Sequence, residues 1–179
     1  TITPNSTNLL YRTSVINSLD VVENNNDYGT FTSTNLGTSH TMFVGVRPVA
    51  GFCDGVVIGG TTTGKYVLFF DSTNLYYSAV NGENVTVTYG GVVTNTPYLL
   101  EVVRSGSSVS FYENGLQVST TQTIATNTAL AVAEFMSNNG GNNRPYHLQI
   151  AEAFVFDSAL SNTDRQTMET YVSNRYAFF

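Results

Sequence analysis

The stretch YLLEVVRSGSSVSFYENGLQV, Tyr98 to Val118, reads as two β-strands and the start of a third, and its reading decides the fold. Apolar and polar residues alternate from Leu99 to Arg104 and from Val109 to Glu113. That period of two suits strands with one wall on a core and the other on solvent. Ser105-Gly106-Ser107-Ser108 between them is turn chemistry, because Gly106 tolerates positive φ and the serines can bond to their own backbone. Asn114-Gly115 calls for a second, primed turn, so the chain reverses again at once. Three antiparallel strands are expected here, and an antiparallel all-β protein around them.

The wider composition agrees. A chain of 179 residues has the length of one domain, and a domain of that size buries roughly 70% of the surface of its unfolded chain. Hydrophobic residues make up 41% and charged residues only 11%, so neutral Thr, Ser, Asn and Tyr must form most of the surface. A net charge of −6, with seven basic residues scattered singly, gives no electrostatic footprint for phosphate backbones. Nucleic acid and anionic membranes are poor partners, whereas a hydroxyl- and amide-rich surface suits neutral sugars or other proteins. Cys53 is the single cysteine and reads as a small buried hydrophobe. No stretch has the pattern of a secretory leader or a membrane span, so the expectation is a removed signal or exit from the cell by another route.

Along the chain, residues 1–11 read as an N-terminal arm and 12–179 as the domain. Short strands are expected at Ser14–Asn17 and Leu19–Val22, and another from Tyr28 to Thr32. In HTMFVGVR, His40 to Arg47, both alternating sets are apolar, the mark of a central strand covered on both sides and ended by Pro48. Val56–Ile58 leads into a Gly59–Gly64 turn region. Lys65–Phe70 and Leu75–Val80 form a hairpin, and Val85, Val87 and Tyr89 share one face of the strand after it. Leu130–Phe135 and Tyr146–Phe156 are further strands, separated by the polar loop SNNGGNNRP. The last element is a helix capped by Ser161 with Asp164, presenting Met168, Tyr171, Val172 and Tyr176 on one side. Strands at a spacing of about ten residues indicate a sandwich or barrel.

Three motifs carry a resemblance: HTMFVGVRP at His40–Pro48, FYENG at Phe111–Gly115, and IAEAFVF at Ile150–Phe156 followed by Ala159-Leu160-Ser161 and the helix. In that order they resemble the concanavalin A-like lectin/glucanase superfamily, in particular the laminin G-like jelly rolls, over roughly Arg12 to Tyr176. The resemblance implies an all-β, two-sheet antiparallel β-sandwich with one C-terminal α-helix. The ending LSNTDRQTMETYVSNRYA is similar to domains found in virion proteins of tailed phages, as fibres, adhesins or capsid decorations. This implies a virion-surface or extracellular location, virion structural proteins as partners, and a homo-oligomer, a trimer being the guess. Lysis would explain the absence of a leader.

Catalytic chemistry finds little footing. Glucanases of this fold resemble one another in two carboxylates two residues apart on one strand. Here Glu101, Glu113, Glu134 and Glu152 stand singly on their strands, so no enzyme is expected. Glu152 reads as a structural carboxylate tying a strand to a loop. His40 and His147 lack neighbouring ligands for zinc, and the Gly59-Gly60 and Gly140-Gly141 pairs read as turns. No cofactor is expected. Calcium, common among relatives, could meet oxygens of Asp27 with Asn24–Asn26, of Asp54, of Asp71 with Asn74, or of Glu83 with Asn81 and Asn84, but each group holds one carboxylate.

Sugar recognition needs a ring for stacking and amides for hydroxyls. Asn138, Asn139, Asn142, Asn143, Arg144 and Tyr146 offer both on one loop and form the expected ligand-binding site. The leading expectation is a non-catalytic recognition module holding a host glycan or cell-envelope component. A purely structural decoration or assembly protein without sugar binding is the alternative, and a glycan-cleaving enzyme the third.

Overall fold

In the computed structural model the described residues are 3–4, 9–24, 28–49, 55–60, 66–71, 73–80, 83–90, 93–125, 128–136 and 147–179. In chain order the strands are β1 (Thr3–Pro4), β2 (Leu9–Ile16), β3 (Leu19–Asn24), β4 (Gly29–Gly37), β5 (Ser39–Pro48), β6 (Gly55–Gly60), β7 (Tyr66–Phe70), β8 (Asn74–Val80), β9 (Glu83–Thr88), β10 (Tyr98–Ser105), β11 (Ser108–Glu113), β12 (Leu116–Gln117), β13 (Gln122–Thr123), β14 (Leu130–Phe135) and β15 (Leu148–Phe156). One helix follows, α1 (Asn162–Tyr176). They form two antiparallel sheets, a seven-stranded one in the order β1-β4-β14-β6-β7-β8-β9 and an eight-stranded one in the order β12-β11-β10-β5-β15-β3-β2, with β13 on β11. This is the expected sandwich with a C-terminal helix.

The Tyr98–Val118 hairpin forms as read. Gly106 takes φ +61° in the first turn, and Asn114 and Gly115 take +50° and +79° in the second, the two positive values of a type I′ turn. The expected solvent wall is absent, however: β10 is buried on both faces except at its end. Leu100 and Val102 enter the core between the sheets, while Leu99 enters a second core beneath α1 with Phe43, Val172, Tyr176 and Phe178. The helix covers what an isolated hairpin would expose. β5 lies centrally, between β10 and β15, and is covered on both sides as its pattern required.

Four local readings are corrected. Gly59 and Gly60 are not a turn but the buried end of β6, paired with Glu134 and Val132 of β14 across a register shift. On α1 the buried positions are Arg165, Glu169, Val172 and Tyr176, whereas Tyr171 is 44% exposed. The β2–β3 hairpin turns at Asn17-Ser18, both at positive φ, and its strands are longer than expected. Glu152 faces a helix rather than a loop: Arg175 Nε is 3.8 Å from its Oε2. Within residues 1–11, Thr3–Pro4 pair with Gly29 and Thr30 of β4, and Leu9–Tyr11 pair with β3.

Candidate functional site: a polar row across the outer face

Strand alternation sets the outer face of the eight-stranded sheet. On β15, Leu148 and Ile150 point into the core between the sheets, so His147 and Gln149 point out. On β3, Val21 belongs to the cluster beneath the helix, and two residues on Glu23 shares its face. By the same count Arg47 follows Phe43 on β5.

These side chains make one connected row. Glu23, 5% exposed, accepts from Arg12 Nη2 at 3.0 Å, from His147 Nε2 at 3.0 Å and from Gln149 Nε2 at 2.6 Å. Gln149 Oε1 accepts from Arg47 Nη1 at 2.7 Å. Arg47 then donates through Nε and Nη2 to the backbone and side-chain oxygens of Asn95 at 3.1 and 3.2 Å. The row thus crosses β2, β3, β15 and β5 and ends on the 93–97 loop. Burial alone would raise the Glu23 carboxyl, but the hydrogen bonds from Gln149, His147 and Arg12 outweigh it and hold the group down at about 2. Glu23 is therefore an ionised anchor, and its three donors are held in fixed directions. Arg12 remains 48% exposed and His147 29%, so the row presents cationic and imidazole edges outward. Beside it a cavity of about 300 Å³ is lined by Asn17, Arg47, Asn95, Pro97, Tyr176 and Ala177.

The expected site residues Asn138, Asn139, Asn142, Asn143, Arg144 and Tyr146 lie outside the described residues. The row begins at His147, the residue that follows them in the sequence, whose carbonyl accepts from Val49 N at 3.0 Å. No motif announced the row, because its members come from five separate segments. The available signal was the alternation His147-Leu148-Gln149-Ile150, which sets two polar groups on a face that the rest of β15 gives to Ala151, Phe154 and Phe156.

The remaining candidates serve the fold. Glu101 and Glu169 do confront each other, but both are buried and Arg165 lies between them, 3.2 Å from Glu101 and in direct contact with Glu169. Burial first, then the Glu169 charge, pushes the Glu101 carboxyl up against the pull of Arg165. Substrate cannot reach such a pair. Asp71, one of the calcium candidates, closes a turn by accepting from Thr73 N at 2.8 Å and Asn74 N at 2.7 Å. The other calcium groups include residues outside those described, and among the described residues no three His, Cys, Asp or Glu side chains cluster. Gly140-Gly141, Cys53 and Asp54 are likewise outside. His40 is fully buried and bonded to Tyr77 Oη at 2.9 Å.

No protein-family model and no curated protein matches the sequence. Solved structures do match. The chain is similar to the binding domain of Paraclostridial Mosquitocidal Protein 1, with TM-score 0.66 and 9% identity over 94% of this chain and 47% of that one. It is similar to the botulinum neurotoxin serotype G binding domain, with TM-score 0.69 and 12% identity over 96% and 47%. It is also similar to a SAP-like pentraxin from Limulus polyphemus, with TM-score 0.57 and 16% identity over 78% and 72%. The chain spans about half the length of the two binding domains. At these identities the likeness shows the fold, a two-sheet jelly-roll sandwich.

Proposed function

We propose that this chain is a non-catalytic recognition module that holds a glycan or another host-surface component on the outer face of its eight-stranded sheet, next to His147. The observation that carries the reading is the Glu23-anchored row. In a chain with only seven basic residues, two arginines and one of two histidines are gathered and oriented there. Fixed donors at the rim of a cavity are what hydroxyl-rich ligands require, and the Asn-rich stretch of sequence that ends at Tyr146 would add amides and a stacking ring. Structural neighbours named as binding and receptor-binding domains support a binding role. We place the module on a virion surface, as a fibre, adhesin or decoration, where a trimer would convert weak single contacts into avidity.

A glycan array on the wild-type chain, followed by titration of the best ligand against Arg47→Ala and Tyr146→Ala, tests this. Charge-assisted hydrogen bonds contribute about 1.5–3 kcal/mol each, so affinity should fall about tenfold or more in Arg47→Ala, and loss of the stacking ring should weaken it in Tyr146→Ala. Absence of any glycan preference, together with binding to the parent particle, would instead establish the assembly reading. Binding unchanged in both variants would remove the row and the loop as the site.

A further inference from the structure

Strand β15 loses its neighbour halfway along. It pairs with β3 only through Leu148, Gln149 and Ile150. A bulge follows at Ala151, after which Glu152–Phe156 continue along β5 on one side, and among the described residues no strand pairs with their other edge. β3 departs because Val21 packs beneath the helix with Phe43 and Val172, and because Asn17 of its hairpin turn donates to the Arg175 carbonyl at 2.9 Å. The edge so freed carries backbone donors and acceptors that require partners.

Two cavities flank this edge and share Ala151 and Glu152 as walls. The first, about 440 Å³, opens between the two sheets and is lined by Val22, Phe31, Ile58 and Phe135, with Val155 at 41% exposure. The second, about 400 Å³, lies on the helix side and holds Asp20, Glu152 and Arg175 with Tyr11 at its rim. Two carboxylates against one guanidinium leave the second chamber net negative. That guanidinium donates to Tyr176 Oη at 3.2 Å and Tyr171 Oη at 3.4 Å and stands 3.8 Å from Glu152 Oε2, while Asp20 accepts from Tyr11 Oη and from Ser14 N at 3.1 Å.

We infer that the Glu152–Phe156 edge accepts an extended peptide from a partner protein as an added strand, with an apolar side chain in the between-sheet slot and the adjacent lysine or arginine in the acidic chamber. Successive side chains of a strand point to opposite sides, and the slot and the chamber lie on opposite sides of β15. Strand addition satisfies the open edge through the main chain, while the two chambers select the side chains. The basic residue is chosen by charge complementarity.

Fluorescence anisotropy with a fluorescein-labelled octapeptide, valine at alternate positions with lysine and threonine between, tests the assignment. Binding should weaken about tenfold or more in Val155→Lys, a substitution at a partly exposed position that puts a charge at the slot mouth. Replacing the peptide lysines by glutamine should cost affinity for the wild type and much less for Glu152→Gln. A peptide N-methylated at alternate amides on its bonding edge should not bind. Failure of the alternating peptide to bind, equal binding of a scrambled or N-methylated peptide, or indifference to Val155→Lys would overturn the inference. So would sedimentation showing a wild-type dimer that Val155→Lys dissociates, since the edge would then belong to a second copy.

Discussion

The ring of Phe178 lies directly on Gly45: a Cβ built on that glycine would stand 2.6 Å from Cζ and 2.8 Å from Cε2 of the phenylalanine. The central strand is bare at this point so that the C-terminal tail can fold back over it. Ala177 caps α1 at φ +54° and its N–H reaches Ser173 O, Ser173 Oγ donates to Phe179 O at 2.7 Å, and Phe178 stacks on Tyr176 with centroids 5.6 Å apart. Because Phe178 lies beyond the helix and belongs to no strand, Gly45→Ala should expel the ring rather than unfold the sheet. The expected loss is about 1.5–3 kcal/mol, the value of one buried aromatic side chain. Phe178→Ala should cost a similar amount, and urea melts of the double variant should show strong non-additivity, since both changes remove one contact.

The helix is held to the sheet by charge as well as by Phe178. Arg165 stacks 3.7 Å above the Tyr112 ring while its guanidinium meets Glu101 and Glu169. Arg165→Leu would leave Glu101 and Glu169 buried without their cation and should cost about 3–5 kcal/mol. Glu101→Gln should behave in the opposite way. The Glu101 carboxyl is raised in the folded state, so the folded chain binds more protons than the unfolded one above pH 4.5, and stability drains away as pH rises from there. The glutamine variant should therefore match or exceed the wild type near pH 8, and thermal melts from pH 5 to 9 should show a flatter profile for it.

Arg165 and Glu169 also mark where reading the sequence reached its limit. The central strand His40–Arg47, the hairpins and the capped helix were legible because each depends on local periodicity and turn chemistry. Charged residues on an amphipathic helix ordinarily face solvent, and nothing local tells that Arg165 and Glu169 meet Glu101 from a distant strand. The polar row hid for the same reason: Glu23, Gln149 and Arg47 are neighbours only once β3, β15 and β5 are paired. Gly59-Gly60 misled because glycine is turn chemistry in isolation, whereas β14 accommodates both residues through a register shift.

Glu23 makes the polar row acid-sensitive. Its folded-state carboxyl sits at about 2 against 4.5 unperturbed. A depressed carboxyl contributes stability that is complete above the unfolded value and is lost as pH falls through the folded one, so the loss should run from about pH 4.5 down to 2. Glu23→Gln should lower the melting temperature at pH 7 and abolish the dependence in that window. Scanning calorimetry of both proteins between pH 2 and 7 checks this. Ligand binding at the row should weaken across the same window.

A second polar connection joins the sheets and responds in a separate range of pH. His40 of β5 and Arg104 of β10 are opposite each other in one sheet, and both are fully buried. Tyr77 of β8, in the other sheet, places its hydroxyl 2.9 Å from His40 Nε2 and 3.2 Å from Arg104 Nη1. Arginine can only donate, so the tyrosine hydroxyl accepts from Arg104 while it is also hydrogen-bonded to His40 Nε2. Burial first, and the Arg104 charge next, hold His40 down at about 4 from 6.5. The unfolded chain therefore takes up a proton that the folded one refuses, and stability falls as pH drops from 6.5 towards 4. Tyr77→Phe should cost about 1–3 kcal/mol at pH 7 by removing the hydrogen-bond partner of the buried His40 Nε2. His40→Gln, which has no proton to gain, should remove the decline between pH 6.5 and 4 while leaving the lower, Glu23-dependent limb in place. Urea melts at half-unit steps of pH separate the two limbs, and a single limb surviving intact in His40→Gln from pH 6.5 downward would show that the imidazole is not the group responsible.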